Sequence, residues 1–152
     1  MSEVNMEMAR SIYESACSAL DKLELNYRKI EEDLVILLGL RGDDMNHDMI
    51  FSVDEKREVI RLLEKMPFEI DPARSADVAS AVCLVNDRLV LGGFTYNLED
   101  RLAFEVAQAY TGSLVGEETI KRLLFALVGT VEEYDDKFMA LNKGYLKVDD
   151  FR

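Results

Sequence analysis

The chain is poor in the residues from which most active sites are built. It has one histidine, two cysteines, two prolines and no tryptophan. His47 is the one residue around which a Ser-His-Asp or Cys-His arrangement would have to form. It ends the polar run Arg41-Gly-Asp-Asp-Met-Asn-His47, which reads as a solvated hairpin tip. Asp43, Asp44, His47 and Asp48 lack the ordered spacing and closing Glu of a calcium loop. Cys17 and Cys83 sit in apolar helical contexts without CxxC spacing, as expected of buried free thiols in a reducing compartment. With only Pro67 and Pro72, the chain has no proline-rich linker, and neither repeats nor low-complexity tracts divide it, so one domain is expected over residues 1–152.

Other absences exclude further classes. The longest apolar run, Leu34 to Leu40, is too short to span a bilayer. Met1 to Met8 carries Glu3 and Glu7 and no basic residue, unlike a secretory signal, so a cytoplasmic protein is expected. Gly92-Gly93 lies inside a strand pattern and not at a strand-to-helix turn. That excludes a phosphate loop and suggests a bulge or a close backbone approach. The clusters Glu31-Glu32-Asp33 and Asp149-Asp150 read as solvated charge. Four of the seven methionines precede residue 46; the simplest reading is core filling. On these grounds the chain is not expected to be an enzyme, and no catalytic, cofactor-binding or metal-binding residue is named.

What is abundant is acid. Thirty Asp and Glu against eighteen Lys and Arg leave a net charge of −12. Such a surface repels phosphates and anionic lipid, so neither nucleic acid nor membrane is expected as a partner. Hydrophobic residues make up 49 % of the 152 residues, ordinary for a domain that stands on its own core.

The apolar residues are periodic. Ala9, Ile12, Tyr13, Ala16, Leu20 and Leu23 share one face of a helix that ends near Asp21 to Leu23. Asp33 to Leu40 reads as a buried strand and Met49 to Val53 as its hairpin partner. Arg57 to Phe68 is ambiguous: Val59, Ile60, Leu63 and Met66 fit a helix, yet β-branched residues cluster at its start and Pro67 closes it. Asp71-Pro72 opens a helix with the apolar face Val78, Ala81, Val82 and Val85, ended by Asn86-Asp87. Leu89 to Asn97 and Arg101 to Gln108 alternate with period two, a second hairpin turning at Leu98-Glu-Asp100. Finally Ile120, Leu124, Leu127, Val131, Tyr134, Phe138 and Leu141 mark a helix from Glu117 to Asn142. Phe125 and Val128 widen its stripe beyond a coiled-coil seam, so it is expected to lie across a sheet.

Several of these residues form a pattern. Met66-Pro67-Phe68, the helix ending in Val85-Asn86, Gly92-Gly93-Phe94-Thr-Tyr-Asn-Leu-Glu-Asp100, Gly112-Ser113 and the long helix with Tyr134 resemble the YbjN family over about residues 33 to 145. That family is named for bacterial sensory transduction regulators and shares its fold with type III secretion chaperones. The resemblance implies an α+β fold, an antiparallel sheet in the order α-β-β-β-α-β-β-α, with Arg57 to Phe68 as the third strand. Where the family commonly has Gly after the Asp of the second turn, Arg101 stands here, and Asn97 is the candidate for a left-handed residue.

The resemblance also implies a homodimer that holds a segment of a partner protein in an apolar groove, working as a chaperone or regulator. Ile12, Tyr13, Leu20, Ile36, Leu38 and Phe51 are the candidate partner-binding residues. Val78, Val82, Val85 and Phe94 are the candidate dimer interface. A small-molecule-sensing domain is the alternative, and it requires an enclosed pocket.

Overall fold

The structure, a computed structural model, describes residues 3–97, 99 and 101–152, with side chains from residue 6 onward. The first helix, α1 (Glu3–Lys22), buries Ala9, Ile12, Tyr13, Ala16 and Leu20 on the face the sequence periodicity marks. Glu24, in the left-handed region at φ 57°, follows its end. Six strands and two more helices follow among the described residues. They are β1 (Tyr27–Ile30), β2 (Val35–Arg41), β3 (Asn46–Asp54), β4 (Val59–Glu69), α2 (Ser75–Asn86), β5 (Gly93–Tyr96), β6 (Arg101–Ala109) and α3 (Glu117–Asn142). The strands make one antiparallel sheet in the order β1-β2-β3-β4-β6-β5.

This is the expected α+β architecture with one strand more. The edge strand β1 pairs only four residues with β2, too few for alternation to announce it. Of Arg57 to Phe68, all but the turn residues Arg57 and Glu58 resolve as strand: β4 alternates buried and open side chains along most of its length. The helical reading fails there because Ile60, Leu62 and Met66 are buried at every second residue or multiples of it, a strand period. The second hairpin is narrower than its pattern. β5 begins at Gly93, and Val90 lies outside it, 95 % exposed. Leu98 and Asp100 of the expected turn lie outside the described residues. Asn97 holds the hairpin through its side chain and not through a left-handed backbone: its Oδ1 accepts from the amides of Glu99 (3.0 Å) and Arg101 (3.3 Å).

Helices α1 and α3 cross one face of the sheet. Ile36, Leu38, Met49, Phe51, Val53, Ile60, Leu62, Leu102, Phe104 and Val106 point into that layer. From α3, Ile120, Leu124, Leu127, Val131, Tyr134, Phe138 and Leu141 meet them, the predicted stripe. Phe125 does not join it; it faces away and is 51 % exposed. α2 closes the end over β5. There Phe94 packs on Phe104, Tyr134 and Phe138 with ring centroids 5.0, 5.9 and 4.9 Å away. Asn142, at the end of α3, clamps the entry to α2: its Oδ1 accepts from the Asp71 amide and its Nδ2 donates to the Glu69 carbonyl. Asp71 in turn accepts from the Ala73 amide, the cap expected of Asp-Pro, and a short 3-10 turn, Pro72–Arg74, leads into α2. Met49 and Met66 are buried in the core.

Gly92 is a close backbone approach. Its φ is +73°, and a Cβ there would lie 2.7 Å from the Glu105 carbonyl oxygen and 2.7 Å from the Phe104 ring. Gly92→Ala is therefore expected to lower the unfolding free energy by about 2 kcal/mol, combining backbone strain and overpacking. Urea denaturation measures this; a midpoint equal to wild type would contradict it.

Candidate functional site

The residues expected to bind a partner are brought together, but inside the molecule. Ile12, Tyr13, Leu20, Ile36, Leu38 and Phe51 are each between 0 and 4 % exposed. α1 lies on β3 and takes up the apolar face they would have offered. Tyr13 is further tied by its hydroxyl, which donates to the Val35 carbonyl at 2.9 Å. Leu20, Leu38 and Phe51 line a void of ≈ 10 Å³ under α1, room for about one water and far below the ~300–1,000 Å³ of a small-molecule site. Of the expected dimer residues, Val78, Val85 and Phe94 are buried against α3 and the sheet, and Val82 is half-buried. Cys17 is buried as expected, whereas Cys83 lies exposed on the outer side of α2.

His47 departs most from its reading. It belongs to β3, not to the turn, and is 1 % exposed. Its Nδ1 lies 3.0 and 2.8 Å from the two oxygens of Glu64, itself 2 % exposed on β4. Its Nε2 lies 3.0 Å from Oε1 of Glu132 on α3. The same oxygen is 3.5 Å from the Asp44 amide. Glu132 reaches this place over Gly42, where a Cβ would stand 1.7 Å from its oxygen. The β2–β3 turn, β4 and α3 are thus held together by one imidazole between two carboxylates. Burial alone would lower the His47 pKa, but its hydrogen bonds to Glu64 and Glu132 prevail and the net shift is upward from 6.5. Burial raises Glu64, against the pull of His47. The hydrogen bond from His47 holds Glu132 below its ordinary value.

The turn acids are separated by the fold. Asp48 faces the open side of the sheet, away from His47. Asp44 instead meets Asp135 and Asp136, with carboxylate oxygens within 4.8 Å of one another. These are the residues among those described that could hold a metal ion, although exposed acids commonly gather in this way without one. Burial raises the Asp135 carboxyl.

The opposite face of the sheet carries an arrangement the sequence reading missed. Asp33 to Leu40 was expected to be buried throughout, but β2 buries only Ile36 and Leu38 in its strand span. Leu37 points to the other side. It pairs with Ile50, and Ile50 with Leu63, so three aliphatic side chains form one row across β2, β3 and β4. Ile50 is 37 % exposed. With Gly39, Asp48 and Lys65 the row lines a hollow of ≈ 500 Å³. Beside it Arg61 donates two hydrogen bonds to Glu105, at 2.8 and 3.0 Å. Period-two counting within the apolar run would have exposed Leu37, since an antiparallel sheet commonly covers one face only.

The buried histidine gives a pH dependence whose sign can be worked out. His47 and Glu64 have raised pKa values in the folded chain. Their stabilisation is full below their unfolded values and is lost as pH rises through the folded ones. Glu132, held low, stabilises above its unfolded value and loses that effect as pH falls through its folded one. Stability is therefore expected to fall as pH rises from about 6.5, the ordinary imidazole value, and His47→Gln to flatten that limb and destabilise by about 3 kcal/mol at the acid end. Denaturant midpoints below and above that value test it; parallel profiles for wild type and variant would contradict it.

The sequence matches the model of the YbjN family, "Putative bacterial sensory transduction regulator", over residues 17–140. Among curated proteins none matches it. Two solved structures share the fold. The crystal structure of YbjN, "a putative transcription regulator from E. coli", is 13 % identical, with 82 % of this chain and 91 % of that chain covered and a TM-score of 0.60. The structure of the HopA1-SchA chaperone–effector complex contains a chain 14 % identical, with 90 % of this chain and 98 % of that chain covered and a TM-score of 0.59. At such identities the likeness is one of fold. The family match, by contrast, spans most of the sequence, and the chain belongs to the YbjN family.

Proposed function

We propose that the protein is a non-enzymatic, chaperone-like or regulatory module that holds a segment of a partner protein against the open face of its sheet. The observation that carries this reading is the row Leu37, Ile50 and Leu63, set in register on a face that the helices leave bare. Aliphatic side chains in a row across strands favour an occupant that presents apolar side chains of its own, as an extended or helical segment does. Asp48 and Lys65 at the rim would orient such a segment, and the net charge of −12 favours one with basic flanks. The same charge disfavours nucleic acid and anionic lipid. The fold shared with a chain of a chaperone–effector complex supports a protein as the partner.

Among the described residues no helix is long and apolar enough to cross a membrane. We read the protein as cytoplasmic and as a homodimer in its working state.

Ile50→Asp places a charge in the middle of the row without touching the helical core. It is expected to reduce capture of the native partner from the source cell by about tenfold, and Leu63→Asp likewise. Quantitative mass spectrometry of proteins retained by wild type and both variants tests this. An unchanged set of retained proteins, with both variants folded, would overturn the reading.

A further inference from the structure

A second surface with exposed apolar side chains lies on the outer side of α3. Val90 and Phe125 are 95 % and 51 % exposed. Together with Leu89, Leu91, Ala126 and Gly129, and with the polar Arg122, Thr130 and Glu133, they line a groove of ≈ 380 Å³ between the 89–91 segment and α3. Gly129 stands in the middle of α3, where glycine weakens a helix relative to alanine. A Cβ at Gly129 would meet nothing within 4 Å. The packing of the chain itself therefore gives no reason for a glycine at this point, whereas a second backbone brought close to α3 would.

We propose that this groove is the interface of a two-fold homodimer in which two α3 helices pack antiparallel. Charge order selects a second copy as the occupant. Along the exposed side of α3 run Glu118, Arg122, Glu133 and Lys137, with Ala126 and Gly129 between them. In an antiparallel pair whose axis passes midway between Ala126 and Gly129, Arg122 faces the partner's Glu133. Glu118 faces the partner's Lys137, and Ala126 faces the partner's Gly129. Each pairing occurs twice, as a self-complementary interface requires. Parallel packing would set each of these charges against its own like. The two small residues fall at the crossing, where they let the helix axes come close.

Within one chain these charges are little engaged. Arg122 and Glu133 have no ion pair among the described residues. Glu118 has a loose contact with Lys121 at 3.4 Å. Lys137 rests 5.8 Å from the centroid of the Tyr134 ring. Phe125, alone of the large apolar residues of α3, turns to this side, and Val90 stands beside it. The interface rests on the reading of the protein as a homodimer, but the surface is distinct from the sheet hollow, so the holding of a partner segment there can fail or stand without it.

Sedimentation equilibrium of the full chain tests the interface, with circular dichroism confirming the fold of each variant. Wild type is expected to dimerise. Arg122→Glu and Glu133→Arg, each alone, are expected to weaken dimerisation by about tenfold, and the double variant to restore it, because the exchanged charges again meet their opposites across the axis. Gly129→Gln suits the monomer, as it adds helix propensity in open space, yet it is expected to block the dimer. Ile50→Asp is expected to leave dimerisation unchanged. A monomeric wild type would overturn the proposal and leave the groove to another partner. A dimer of the same strength in Gly129→Gln and both charge reversals would overturn it as well.

Discussion

Along β3, β4 and β6 every second side chain enters the layer beneath α1 and α3, and every other one turns away from it. This alternation follows from the strand period of two, and it constrains almost everything else. It requires that all large apolar residues of one parity meet a helix. The stripe Ile120 to Leu141 of α3 meets that need across β4 and β6, and the stripe Ala9 to Leu20 of α1 meets it over β3. At roughly 25 cal/mol per Å² of apolar area buried, side chains such as Phe104 and Phe138 each contribute on the order of 2–3 kcal/mol, so the helices are held mainly by this packing. The other parity turns to the open side of the sheet. Leu37, Ile50 and Leu63 lie there because of register alone.

The ionic cluster of His47, Glu64 and Glu132 has a structural cost and a structural use. His47 and Glu64 are almost wholly removed from water. Such groups are tolerated only when each is answered by an opposite charge and a hydrogen bond, and here the imidazole supplies both to two carboxylates. Because those carboxylates come from β4 and α3, the cluster ties the free end of the β2–β3 hairpin to the helical layer. It also requires that the chain be bare at Gly42. A hairpin tip held in this way keeps Gly39 and Asp48, near the same end, in place at the rim of the sheet hollow.

Among the described residues, two of the surfaces with apolar side chains in water have no element of the chain upon them. They lie on separate parts of the molecule, one on the bare sheet face and one on the outer side of α3. A module that pairs through the second and holds a partner on the first would present two sheet faces at once, which raises the effective affinity for a client with two suitable segments. The acidic surface suits this arrangement. It attracts basic segments, while pairing of two such chains needs a face on which opposite charges are matched.

Period, caps and glycine positions are properties of the sequence, and they were legible there. The stripe of α3 and its bounds from Glu117 to Asn142, the stripe of α1, the Asp71-Pro72 start and the close approach at Gly92 all follow from local chemistry. So does the family, through small and apolar residues at fixed separations. Position in space was not legible. Ile12, Leu38 and Phe51 look equally apt for a groove or a core, and only the docking of α1 makes them core. His47 reads as a turn residue because its carboxylates lie 17 and 85 residues away along the chain. Leu37 hides within an apolar run, and Phe125 counts as part of a stripe, until register and helix docking show which way each points. Local propensity is decided within a few residues, whereas burial is decided by whatever the rest of the chain brings to the same place.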